Sequence, residues 1–217
     1  LLNEQLGLDN FAEFLEDEST KAKIESLMSV RDSHNGEPDW HERAKSLAIF
    51  SAFTEGVNLF SSFAILLSFK MRNKLKGIGQ QMKWSVRDES LHSKMGCQLF
   101  RHMCDEFPGL KGDVRDSVIE AAELIVKLEE NFIDKMFEMG DLENLNSKDL
   151  KNFIRKRANE KLVELGYDPH FNYDKESADQ LEWFYHLTGG LTHTDFFALR
   201  PTDYSKAGEG ENWEDIF

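Results

Sequence analysis

Apolar residues recur at intervals of three and four along most of this chain, the spacing that gives a helix one buried face. Strict alternation of apolar and polar positions, the mark of a strand, is scarce. The pattern predicts helices over 10–30, 41–73, 78–106, 113–139, 147–165 and 177–188. Between them "RDSHNGEPDW" (31–40), "FPGLKGD" (107–113) and "GYDPHFNYD" (166–174) carry Pro, Gly, Asn and Asp and read as connections. Four prolines in 217 residues leave room for helices of this length. The expected fold class is therefore all-α, without internal repeats. From Gly189 onward Gly, Thr, Asp and charged residues replace the periodic pattern. Residues 1–188 are thus expected to form the helical domain and 189–217 an irregular, flexible tail.

Composition leaves the fold reading unchanged and narrows the function. With 40% hydrophobic and 12% aromatic residues the chain can fill a single core. Lys and Arg number 26 against 40 Asp and Glu, a formal charge of −14, which argues against a nucleic-acid surface because phosphate binding needs a basic stripe. The densest basic run, "KMRNKLK" (70–76), closes an apolar helix, where cations complement the helix dipole. Cys97 and Cys104 are too few for a disulfide framework and read as reduced thiols of a cytoplasmic protein. The apolar run from Leu59 to Phe69 is interrupted by serines and too short to span a bilayer, and no signal-peptide pattern precedes it.

Two features carry candidate chemistry. In "SAFTEGVNLFSSFAILLSF", Glu55 stands among apolar and hydroxyl residues, with no Lys or Arg three or four positions away to neutralise it. Such a carboxylate is either at a surface that the periodicity hides, or buried and paired, with a hydroxyl, a water or a metal as partner. In "VRDESLH" (86–92), Glu89 and His92 lie three apart and project from one helix face. A Glu on one helix and Glu-x-x-His on the next are half of the carboxylate-bridged di-metal pattern of ferritin-like bundles. Metals that cycle between divalent and higher states favour hard oxygen donors, with imidazole tuning the potential. The zinc-peptidase signature, two His four apart enclosing a Glu, does not occur. A surface ion pair is the alternative for Glu89 and His92.

The segments "AFTEGVNLFSSFAILLSF", "WSVRDESLHSKMGCQLF", "KRANEKLVELGYDP" and "TDFFALRPTDYSK" together resemble the radical-generating small subunit of class I ribonucleotide reductase, in order and spacing across nearly the whole chain. The resemblance implies a ferritin-like helical bundle around a di-metal centre that activates oxygen and stores an oxidising equivalent for a large subunit that reduces ribonucleotides. By this resemblance Glu55, Glu89 and His92 match metal ligands for di-iron, or alternatively manganese/iron or di-manganese. Asp88 matches a carboxylate that hydrogen-bonds a ligand His and belongs to the radical-transfer route; an ordinary salt bridge, to Arg87 for example, is the other reading. Phe63 and Leu59 would line an apolar pocket beside the metals, or simply pack the core. Tyr204 matches a radical-relay tyrosine of the tail, and the C-terminus ending in Trp213, Ile216 and Phe217 would dock on the large subunit. The complete small subunit is expected to be a homodimer, without nucleic-acid or membrane partners.

The chain departs from the family pattern at its start. An Asp or Glu, a first Glu-x-x-His and a nearby radical Tyr are expected before the segment resembling "LLNEQLGLDNF", with which this sequence opens. No second Glu-x-x-His occurs; "EWFYH" (182–186) has the wrong spacing and is expected outside the bundle, and Tyr167, Tyr173 and Tyr185 are expected to be structural. The sequence thus reads as the C-terminal portion of a bundle whose N-terminal helices are missing, with three of about six ligands, and inactive alone. Two further functions stay open: another di-iron oxidase or oxygenase, desaturase-like, and a helical assembly protein without catalysis.

Overall fold

The computed structural model describes residues 17–18, 21–25 and 39–189. The tail, including Tyr204, and the greater part of the helix expected over 10–30 lie outside them; 21–25 are helical. The described residues are all-α, with a single isolated bridge between Leu142 and Leu145. In chain order the helices are α1 (Trp40–Ala48), a π segment (Ile49–Thr54), α2 (Phe60–Met71), α3 (Lys76–Glu106), α4 (Leu110–Asp113), α5 (Arg115–Met136), α6 (Ser147–Leu165), α7 (Lys175–Asp179) and α8 (Glu182–Thr188).

Local chemistry explains the boundaries. Asp39 caps α1 by accepting from the Glu42 N–H at 2.9 Å, and Asn146 caps α6 by accepting from the Asp149 N–H at 2.8 Å. Gly166 closes α6 at φ 90°, so that the Tyr167 N–H reaches the Leu162 carbonyl at 2.8 Å. Gly109, at φ 98°, turns the chain after Pro108 and starts α4 inside the expected connection. The 166–174 connection lacks helix as expected; Asn159 holds it, its Oδ1 accepting from the His170 and Phe171 N–H groups and its Nδ2 donating to the Phe171 carbonyl, each at 2.8 Å.

Two expected helices are not continuous. The 41–73 helix widens into the π segment and then breaks in a turn over 55–59 before α2. The 177–188 helix is α7 and α8, with Asp174 capping α7.

The core forms where α3 packs against α1, the π segment and α2, while α5 and α6 close the other side. Phe53, Phe60, Phe100 and Phe153 are its largest buried side chains. Phe184 of α8 belongs with them, its ring centroid 5.3 Å from Phe153 and 6.0 Å from Phe60. "EWFYH" is thus part of the packed bundle, contrary to the expectation that it lies outside: its Phe and Tyr face α6 and α2, while Glu182 and His186 are turned to solvent. Cys97 and Cys104 are free thiols, and burial pushes the Cys97 thiol up to about 12.

Candidate metal centre

The widened turn ends at Glu55. Its N–H bonds the Phe50 carbonyl, five residues back, at 3.0 Å, and Asn58 repeats the step to Phe53 at 2.9 Å. Such π turns insert an extra residue into a helix and often occur at functional sites. Phe60 then bonds Val57 rather than Gly56, so the Gly56 carbonyl leaves the helical ladder. Gly56 and Gly96 let this segment lie against α3. A Cβ on Gly96 would fall 1.9 Å from Ser51 Oγ, and one on Gly56 would fall 2.7 Å from Ser93 Oγ. Ser93 adjoins His92, so this close approach brings Glu55 up to the ligand face of α3.

One ligand atom each from Glu55, Glu89 and His92 lies within 4.8 Å of the others. Bonds of about 2.0–2.2 Å to a shared ion require donors within about 4.4 Å of one another, so a small rotamer adjustment would close the set. Glu89 and His92 have that freedom, with side chains 27% and 50% exposed. Their atoms face each other, His92 Nδ1 lying 3.8 Å from Glu89 Oε2. His92 Nε2 lies 3.6 Å from Asp88 Oδ1, so the two ring nitrogens address different carboxylates. Glu55 is half-buried rather than enclosed. Burial holds its carboxyl above the ordinary value; the His92 ring opposes this, and the charges of Glu89 and Asp88 add to it. Two hard oxygens and one imidazole suit a transition-metal cation, and its charge would relieve this repulsion.

The other expected site residues are placed less uniformly. Phe63 is buried against Phe60, whereas Leu59 reaches solvent at the start of α2. Tyr167 donates to the Lys111 carbonyl at 2.8 Å and Tyr185 to Glu160 Oε2 at 3.1 Å, both in packing roles. Sequence reasoning passed over Arg157, whose Nε donates to the Gly56 carbonyl at 2.5 Å, and Glu129, a core carboxylate that pairs with Lys23 and Ser61. The partners of Arg157 and Ser61 are 101 and 68 residues distant along the chain, so no local spacing could have revealed them.

Comparison with known proteins gives this geometry a family. The model of the ribonucleotide reductase small chain matches residues 2–178. The chain is 38% identical over 177 residues to a protein of Invertebrate iridescent virus 3 named a probable ribonucleoside-diphosphate reductase small subunit, covering 79% of this chain and 46% of that one. It is 32% identical to a similarly named protein of Invertebrate iridescent virus 6, covering the whole chain and 69% of that relative. The chain thus spans about half the length of the first relative and about two thirds of the second. A crystal structure from Bacillus halodurans, assigned to class I ribonucleotide reductase, superposes with a TM-score of 0.69 at 20% identity, over 80% of this chain and 62% of that one. The dimanganese(II)-NrdF of Streptococcus sanguinis superposes with a TM-score of 0.56 at 23% identity, over 77% and 55%. These likenesses place the described residues in the ferritin-like helical fold. With the motif, the fold and the matched length in agreement, the chain belongs to the ribonucleotide reductase small-chain family.

Proposed function

We propose that this chain holds one half of the di-metal centre of a ribonucleotide reductase small subunit, which generates and stores the radical used by a large subunit to make deoxyribonucleotides. The convergence of Glu55 with Glu89 and His92 across two packed elements carries the reading. When bound, the metal pair, di-iron or alternatively manganese/iron or di-manganese, supplies oxygen activation and one-electron chemistry. Glu55 and Glu89 offer the oxygen donors and His92 offers Nδ1. Asp88 then orients the ring, because Nε2–H remains on its side, and a carboxylate there makes the imidazole a stronger ligand.

The half-site calls for a second half. The 217 residues contain one Glu-x-x-His, whereas a full centre of this type takes two, with a further carboxylate on each of two other helices. The ligand helix also carries an uncovered apolar stripe: Leu91, Met95 and Leu99 are 55%, 59% and 54% exposed at four-residue spacing, on the side of α3 that bears Asp88 and His92. A segment bringing the remaining donors would cover this stripe and the metals together. Until it does, unneutralised carboxylates oppose one another, and the chain alone binds metal weakly and forms no radical.

The test is co-expression with a polypeptide carrying the complementary Asp or Glu, Glu-x-x-His and Tyr. About two metals per pair of polypeptides and a radical signal are expected, whereas the chain alone should take up metal only weakly, when the ion is in excess, and form no radical. Stoichiometric metal and a tyrosyl radical in the chain by itself would overturn the half-site reading.

A further inference from the structure

Arg157 of α6 is buried, 5% exposed; its guanidinium hydrogen-bonds the Tyr185 side chain and feels the charges of Glu160 and Glu164, and it has a further donor to place. It lies flat on Phe60, its Cζ 3.3 Å from the ring centroid, and points Nε at the Gly56 carbonyl. A guanidinium can do both at once because its donors lie in the plane whose face stacks on the ring. Gly56 is the residue after Glu55, and its carbonyl is the one released when Phe60 turns to bond Val57. The same residue is confined from three sides. A Cβ there would fall 2.1 Å from the Ala52 carbonyl oxygen, 2.7 Å from Ser93 Oγ and 2.9 Å from Lys161 Cδ. The helix break after Glu55 is therefore the point where the π segment, α3 beside His92, and α6 meet.

We propose that Arg157 is a positioning residue for the metal half-site: anchored on Phe60, it holds the Gly56 carbonyl out of the helical ladder and so fixes Glu55 against Glu89 and His92. It touches no ligand atom and acts through the backbone. Without this donor the buried Gly56 carbonyl must find another partner; the Phe60 N–H is the one a regular α-helix would give it, and its capture would rewind the turn and rotate Glu55 relative to α3. Phe60 links the arrangement to the core, since Phe63 and Phe184 pack edge-on against it.

The inference rests on the half-site reading, and the experiment separates the two. The 217-residue chain and its His92→Ala, Arg157→Met and Arg157→Lys variants are titrated with Co(II), following the visible spectrum, at a temperature where circular dichroism shows equal helicity. His92→Ala is expected to abolish the Co(II) spectrum; if it does not, the half-site reading fails whatever Arg157 does. Arg157→Met, which fills the space without donating, is expected to weaken Co(II) binding about tenfold or more and to change the spectrum. Arg157→Lys, which keeps a donor, should recover most of that loss. A purely structural role would lower the melting temperature and leave affinity and spectrum unchanged below it, and that result overturns the proposal. Should Arg157→Met not fold, Phe60→Leu carries the test, because it removes the anchoring ring but leaves the donor. Unchanged Co(II) affinity and spectrum in that variant would likewise overturn it.

Discussion

Glu129 is the one carboxylate in the core among the described residues, and its surroundings show how a buried charge is tolerated. Ser61 Oγ donates to its Oε2, and the Lys23 ammonium faces Oε1 as an ion pair. Lys23 also donates to the Asn58 carbonyl at 3.1 Å and lies 4.4 Å from the Phe132 ring centroid, so several contacts hold the cation in place. Burial pushes the Glu129 carboxyl above its ordinary 4.5, with Lys23 and Ser61 pulling the other way. A raised folded-state value means that the native state binds the proton more tightly than the unfolded chain. This contribution to stability is therefore greatest at low pH and declines as pH rises from 4.5 through the raised value. Lys23→Met should cost about 3–5 kcal/mol at neutral pH, because it leaves the carboxylate buried and unpaired. The cost should shrink as acid protonates Glu129, and adding Glu129→Gln should recover most of it. Urea denaturation across that pH range measures all three effects; a small loss from Lys23→Met, the same at every pH, would mean that Lys23 does not neutralise Glu129.

Among the elements, helix interiors and the connections between them were legible in the sequence and the π break was not. The 147–165 helix is found at Ser147–Leu165 because Asn146 and Gly166 mark its ends chemically as well as by pattern. The break at 49–59 leaves no such mark. Ser51, Ala52, Phe53 and Thr54 are all buried and the exposed residue of the π segment, Phe50, is apolar, so this segment has no polar stripe whose phase could shift. Glu55, Glu89 and His92 could be read because charge stands out in an apolar helix and three-residue spacing is local. Arg157 could not, since its role depends on a carbonyl in another element. The exposed Leu91, Met95 and Leu99 show what the same periodicity means when a helix has a face left uncovered. Replacing all three with Gln should change the stability of the isolated chain by no more than about 0.5 kcal/mol per site, since all three lie at the surface. In co-expression the triple variant should fail to retain the complementary segment. A substantial drop in the chain's own stability would show that the stripe is already covered, and full retention of the segment would show that it docks elsewhere.

For the whole molecule, we propose that the ligand face and the tail after α8 serve separate assemblies, one completing the metal centre and the other reaching a large subunit. The tail after α8 is rich in charge: from Asp203 to Phe217 there are five acidic residues and one Lys, yet the chain ends with Trp213, Ile216 and Phe217. Aromatic anchors tend to dominate binding energy when they enter a pocket, while surrounding charges govern the rate and salt sensitivity of encounter. This composition suits a segment that settles into a groove on a large subunit with its apolar end and aligns by its acids. Tyr204 lies nine residues before Trp213, close enough to be carried to the interface yet outside the anchoring residues. The two roles should therefore separate in the completed protein. Deleting residues 211–217 should abolish co-sedimentation with the large subunit while leaving helicity and metal content unchanged. Tyr204→Phe should bind as tightly as the parent and lose nucleotide reduction, because only the phenol that would relay the radical is removed. Undiminished binding by the truncated protein would assign docking to another surface, and an active Tyr204→Phe variant would take the relay away from the tail.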